Sequence, residues 1–191
     1  MRHVISALVQ NEPGVLAAVA GLFSARGFNI DSLVVGRTEN ADLSRMTVVC
    51  NGDDNTLEQI RKQLAKLVPV VKVRDFKNAA YLERDLCLVT VSVAPEHRTE
   101  VIEMVNLFRG KVVDVAKGSV VVELSGTEEK IEALVELLKP YGIKELARTG
   151  VIAMARGTQQ AKEDAAEKAP LPGGKRKRSL DAPAAAALPP S

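Results

Sequence analysis

The sequence predicts an α+β chain built from two successive βαββαβ units, each an antiparallel four-stranded sheet with two helices on one face, followed by a disordered tail. Three observations carry this reading. Apolar residues switch repeatedly between the period of a strand and that of a helix, the same order of elements occurs twice, and glycine or capping residues mark the switches. Of the 191 residues 46% are apolar but only 3% aromatic, so the core has to be made of Val, Leu, Ile and Ala.

In the first unit, "VISALVQ" reads as a strand whose nearly continuous apolar character requires cover on both faces. A helix follows over about Pro13 to Arg26, with Val15, Leu16, Val19, Leu22 and Phe23 at buried-face spacing and Ala17, Ala18, Gly21 and Ala25 on an unusually small flank. Gly27 fits the left-handed position that ends a helix. "NIDSLVVGRT" and "LSRMTVVCNG" then read as a hairpin joined by "ENAD". Thr56 and Gln59 have capping-box spacing at the start of a second helix, with Asp53, Asp54 and Asn55 as further caps, and Leu57, Ile60, Leu64 and Leu67 as its stripe. "PVVKVRDF" closes the unit as a strand.

The second unit repeats the order. "DLCLVTVSV" is a strand, and "PEHRTEVIEMVNLFRG" a helix with Val101, Val105 and Phe108 inward and Gly110 at its end. "KVVDVAKGSVVVELSG" is a hairpin turning at "AKGS", "TEEKIEALVELLKPYG" a helix capped by Thr127 and stopped by Gly142, and "IKELARTGVIAMA" a single last strand. The expected boundaries are a first domain over 1–77, a linker over 78–83, a second domain over 84–157 and a disordered tail over 158–191. The tail's Gln, Ala, Lys, Glu and Pro residues bury too little apolar surface to offset the entropy of ordering.

Several functions fit these residues poorly. The small positive excess lies in the tail, where Lys162, Lys168 and the run from Lys175 to Arg178 outnumber the acids, so the folded part gives no footprint for nucleic acid or a membrane surface. A βαββαβ sheet that reads RNA does so with aromatics on its strands, and Phe76 alone stands in such a place. His3 and His97 are expected at the surface or an edge, with no nucleophile pattern beside them. Cys50 and Cys87 lack metal or redox spacing and read as buried reduced thiols. No apolar run reaches the length of a membrane span, and "HVISALV" follows Met1 without room for a leader, which points to the cytosol, most simply a bacterial one. Apolar residues on both faces of the central strands do imply a partner surface, through self-association or another protein.

The stretch "QNEPGVLAAVAGLFSARGFNI" is the one place that invites a ligand. A helix start offers unpaired backbone N–H groups to an anion, and Gly14 leaves it without a Cβ. Asn11 stands before it and Asn29 after the helix. Each also has a plain reading, Pro13 as a helix-start residue, Gly14 as a tight bend and Asn29 as a turn residue.

"NEPGVLAAVAGLFSARGFNIDSLVVGRTENADLSRMTVV", with "LEQIRKQLAKLVPVVKVRDF", "FRGKVVDV" and "ELARTGVIAMARG", resembles the regulatory small subunits of acetolactate synthase, a family of ACT-domain proteins. The resemblance implies an amino-terminal ACT domain and an ACT-like carboxy-terminal domain, both ferredoxin-like, and no catalytic site. It implies a homodimer in which a branched-chain amino acid, usually valine, sits between copies, held by Asn11, Pro13, Gly14, Val15 and Leu16 of one and by Asn29 and Ile30 of the other. The implied partner is a separate catalytic large subunit, which carries thiamine diphosphate, Mg²⁺ and often FAD, while this chain carries no cofactor. A free-standing amino-acid sensor acting on another enzyme, or an enzyme in its own right, are the alternatives.

Overall fold

The computed structural model describes residues 1–157; the tail expected to be disordered, 158–191, lies outside them. The first unit contains β1 (Arg2–Gln10), α1 (Val15–Ala25), β2 (Ser32–Arg37), β3 (Leu43–Asn51), α2 (Asp54–Leu64) and β4 (Val70–Asp75). The second contains β5 (Tyr81–Ser92), a one-turn 3₁₀ helix (Pro95–His97), α3 (Arg98–Leu107), β6 (Lys111–Ala116), β7 (Ser119–Gly126), α4 (Glu128–Leu138), a further 3₁₀ turn (Lys139–Tyr141), β8 (Ile143–Arg148) and β9 (Ile152–Ala155). Strand order is β2-β3-β1-β4 in one sheet and β6-β7-β5-β8 in the other, with β9 paired to β5, and all pairs are antiparallel.

Alternation along the central strands makes the cores. Ile5, Ala7 and Val9 of β1 and Met46, Val48 and Cys50 of β3 face Val15, Val19 and Phe23 of α1 and Leu57, Ile60 and Leu64 of α2. Cys87, Val89 and Val91 of β5 do the same against Val101 and Val105 of α3 and Ile131, Leu134 and Leu138 of α4. Burial of each large side chain contributes about 1.5–3 kcal/mol, so these stripes hold the helices in place.

α1 ends as expected. Gly27 takes φ +67°, its N–H donates to the Ser24 carbonyl at 3.1 Å, and the Phe28 N–H donates to the Phe23 carbonyl at 3.0 Å. Phe28 packs edge-on against Phe23, with ring centroids 6.3 Å apart, which completes the glycine stop with its apolar contact.

Five expectations require correction. The final strand is two, because Gly150 turns the backbone at φ +87° between β8 and β9. The linker over 78–83 ends inside β5, whose first residues from Tyr81 to Arg84 pair with β9. Asp53, not Thr56, caps α2, its carboxylate accepting from the Thr56 N–H at 2.7 Å. At the end of α3 the left-handed residue is Arg109, φ +55°, and Gly110 is instead pressed against Val105 and the Glu123 carbonyl, at 3.0 and 3.2 Å from the Cβ it lacks. His3 is buried, with its Nε2 3.1 Å from the Gly52 carbonyl.

The helix-free face of the first sheet is partly covered by the chain itself. Val151, Ala153 and Ala155, at and along β9, pack on Val4, Val49 and Phe76, with Phe76 stacked on Tyr81 at 4.8 Å. The apolar outer residues of β1 and β3 therefore owe part of their cover to an intramolecular contact.

Candidate functional site

Gly14 is not in the first turn of α1 but immediately before it. It is the N-cap, at φ +88° and ψ −14°, a left-handed conformation that glycine adopts at little cost. The helix therefore begins at Val15, and Pro13 precedes the cap. No side chain caps this helix and no acid stands in its first turn; the Val15 N–H donates to the Glu12 carbonyl at a long 3.5 Å, and the N–H groups that follow and the positive dipole end have no side-chain partner.

Asn11 neither caps the helix nor points at an open partner. Its Nδ2 donates to the Ala41 carbonyl at 3.0 Å, its Oδ1 accepts from the Ser44 hydroxyl at 3.1 Å, and its backbone N–H donates to the Asp42 carbonyl at 2.8 Å. These bonds fix the β1–α1 loop against the β2–β3 loop, so Asn11 shapes the hollow beside it.

That hollow has a volume of about 170 Å³. Val9, Val15 and Met46 are its buried lining, Leu16 and Val35 are half-exposed at its mouth, and the polar rim comes from Asn11, Glu12 and Ser44. Of the residues singled out in the sequence, Asn11, Val15 and Leu16 line it, while Pro13 and Gly14 form the turn next to it. Val35, Ser44 and Met46 belong to it without having been foreseen. They arrive from β2 and β3, and only the pairing of Val35 with Met46 across those strands brings them beneath α1.

Asn29 and Ile30 are elsewhere. They follow the far end of α1, whose 11 residues make it about 16 Å long at the helical rise. Asn29 donates from Nδ2 to Asp31 at 2.8 Å, and Asp31 also accepts from Asn51 at 2.7 Å, so the turn is held rigidly at the entrance to β2. Burial, with the Asp31 carboxylate adding to it, pushes the Cys50 thiol up, which keeps it protonated and inert. Within one chain the two groups of residues cannot meet on one small molecule.

Larger hollows offer less chemistry. One of about 350 Å³ lies by His3, Phe76 and Tyr81 where the two sheets meet. Its charged groups are paired, Arg2 with Glu83 and Glu128 and Lys77 with Asp54, and the His3 Nε2 lies 3.1 Å from the Gly52 carbonyl. His97 is 3.3 Å from Glu100 at the exposed start of α3. Among the described residues no cluster of three or more His, Cys, Asp or Glu is placed to hold a metal ion, and no helix is long and apolar enough to cross a membrane.

Comparison with known proteins separates the halves in the same way. Residues 5–72 match the family described as the AHAS small subunit-like ACT domain, and residues 84–157 match that described as the small subunit of acetolactate synthase. The probable acetolactate synthase small subunit of Archaeoglobus fulgidus is 52% identical over 160 residues, 84% of this chain and 100% of that protein. The chain belongs to the acetolactate synthase small-subunit family. The small subunit of Bacillus subtilis is 50% identical over 161 residues, covering 84% of this chain and 94% of its own. The crystal structure of the acetolactate synthase small subunit of Thermotoga maritima superposes with a TM-score of 0.76 at 43% identity, over 82% of this chain and 98% of that one. The 170 Å³ hollow lies wholly within the ACT domain of this small-subunit chain.

Proposed function

We propose that this chain is the regulatory subunit of an acetolactate synthase of branched-chain amino acid biosynthesis in the bacterial cytosol. It has no catalytic site of its own. It binds and activates a catalytic large subunit that joins two pyruvates, with loss of CO₂, into 2-acetolactate, or pyruvate and 2-oxobutyrate into 2-aceto-2-hydroxybutyrate. Thiamine diphosphate, Mg²⁺ and any FAD reside in that partner. Valine binds here and feeds back on the holoenzyme.

The open start of α1 carries the effector part of this reading. A carboxylate suits the uncapped N–H groups beside Gly14, an isopropyl group suits the apolar lining from Val15 and Met46, and the exposed Glu12 carboxylate stands where an ammonium group can reach it. Asn29 and Ile30 complete the site from a second copy of the chain.

The surface of α1 supports such a pairing. From Val15 to Ala25 it has no charged residue, yet Leu16, Ala17, Ala18, Gly21 and Ala25 are exposed. A helix apolar all round belongs in an interior. Gly21 costs about 1 kcal/mol relative to alanine in mid-helix, and nothing lies within 4 Å of the Cβ it lacks. Within one protomer Gly21 is unexplained, whereas a second backbone brought close to it accounts for the missing side chain.

Feedback then requires valine to favour one arrangement of the paired ACT domains and the catalytic subunit another, with a coupling of about 1–3 kcal/mol between the two. The test is reconstitution. Adding this chain to the catalytic subunit raises acetolactate formation, valine lowers it again, and the chain alone turns over no pyruvate; a catalytic subunit that neither binds this chain nor changes rate contradicts the assignment.

A further inference from the structure

We propose that the Thr149–Gly150 corner is the mechanical link by which occupancy of the ACT-domain site is read in the second domain; this rests on the effector reading above. β2 lies between the two. On one of its faces Val35 lines the 170 Å³ hollow, and on the other Ser32 and Val34 meet the corner. Residues Asn29 and Ile30 lead directly into the same strand through Asp31.

The corner has no slack on the β2 side. A Cβ on Gly150 would lie 2.6 Å from Ser32 Oγ and 2.8 Å from Val34 Cγ2, and the Val151 N–H donates to Ser32 Oγ at 3.1 Å. It is equally fixed on the other side. Asp85 is only 4% exposed, and its carboxylate accepts from the Gly150 N–H at 3.0 Å and from the Thr149 hydroxyl at 3.1 Å. The Thr149 hydroxyl accepts in turn from the Leu86 N–H at 3.2 Å, within β5, the central strand of the second sheet. A displacement of β2 thus passes through Ser32 to Gly150, and through Asp85 and Thr149 to β5.

The ion pairs of Arg2 across the sheets are softer. Arg2 reaches Glu83 at 3.1 Å and Glu128 at 2.8 Å, but its side chain is a third exposed, so solvent screens these pairs and long side chains absorb movement. Close backbone packing at Gly150 transmits strain where flexible ion pairs do not.

The experiment is amide hydrogen exchange on the full chain with and without saturating L-valine, for wild type, Ser32→Ala and Asp85→Asn, with valine affinity measured by calorimetry on the same samples. Wild type is expected to show a valine-dependent change in protection at Gly150, Val151 and Leu86 of about 5- to 150-fold, the range of ordinary allosteric coupling. Ser32→Ala and Asp85→Asn still bind valine but lose the change at Leu86, while protection in β6 and β7 shows that they are folded. Valine binding that leaves those three amides unchanged in wild type overturns the link alone, as does an undiminished change at Leu86 in both variants. Failure of wild type to bind valine at all overturns the effector reading and the link with it.

Discussion

The two βαββαβ units share a strand order and differ where their first helices begin. Neither helix start has a side-chain cap, but in the first unit left-handed Gly14 opens a helix with no acid in its first turn and no charge along its length. In the second, a 3₁₀ turn leads into α3, Glu100 stands in the first turn, and His97 lies 3.3 Å from it. A carboxylate already occupies the positive end of the α3 dipole. The two helix starts thus differ both in backbone, a left-handed glycine against a 3₁₀ turn, and in the charge of the first turn.

The helix-free faces differ as well. The first sheet is partly covered by β9, whereas the second has no such strap among the described residues. Both differences fall on the first unit, which has an uncharged helix start at one edge and a partly covered face on the same sheet.

The largest expected effect probes that cover. Gly150→Ala combines left-handed strain with contacts at 2.6 and 2.8 Å to Ser32 and Val34, and should destabilise the chain by about 2–4 kcal/mol in urea unfolding. Gly118→Ala, in the β6–β7 turn, meets nothing within 4 Å and has an ordinary φ, so its unfolding curve should barely move. Equal effects would show that the corner is not a tight contact.

A smaller contrast exchanges the two helix stops. Gly27 and Arg109 occupy the same left-handed position after α1 and α3. Gly27→Arg should cost about 1–2 kcal/mol and Arg109→Gly should gain about 0.5–1 kcal/mol. Nothing in the structure explains why arginine stands at 109, and a loss of stability on Arg109→Gly would reveal a contact that outweighs the strain.

The smallest concerns caps. Asp53→Ala should lower the melting temperature while Thr127→Ala leaves it nearly unchanged, because Asp53 accepts from Thr56 and the Thr127 side chain makes no cap bond. Hydrogen bonds from the Thr56 hydroxyl and backbone N–H hold the Asp53 carboxyl below its ordinary value. Its contribution is therefore fully present above the unfolded value of about 3.9 and is lost as pH falls through the lower folded value. The melting difference between wild type and Asp53→Ala should shrink in that acid window and persist at neutral pH.

Much of the fold was legible because local signals and packing agree. Alternation in "VISALVQ" and "DLCLVTVSV" marked the two central strands, and Gly27 and Gly142 marked helix ends by the backbone they require. The break at Gly150 was not legible, since Val151, Ala153 and Ala155 alternate identically whether they extend β8 or cross to the other sheet. The three acidic or polar residues before Thr56 hid the true cap among equivalent candidates. At the site, Gly14 was conspicuous because a Pro-Gly pair stands where the apolar helical pattern begins. Val35 and Met46 were not, because their place under α1 depends on strand register and on the packing of two elements distant in sequence.

The proposed site is shared between copies of the chain, and mixed dimers test that sharing most directly. Gly14→Asp puts a carboxylate where the ligand's would sit, Asn29→His disturbs the opposite wall, and each variant alone should bind no valine. Coexpressed, a mixed pair joins one doubly defective site to one intact site, so random pairing restores about a quarter of the wild-type binding capacity at wild-type affinity. Calorimetry showing that recovery would establish the shared site; a mixture as inert as its parents, or an Asn29→His variant that binds valine normally, would contradict it.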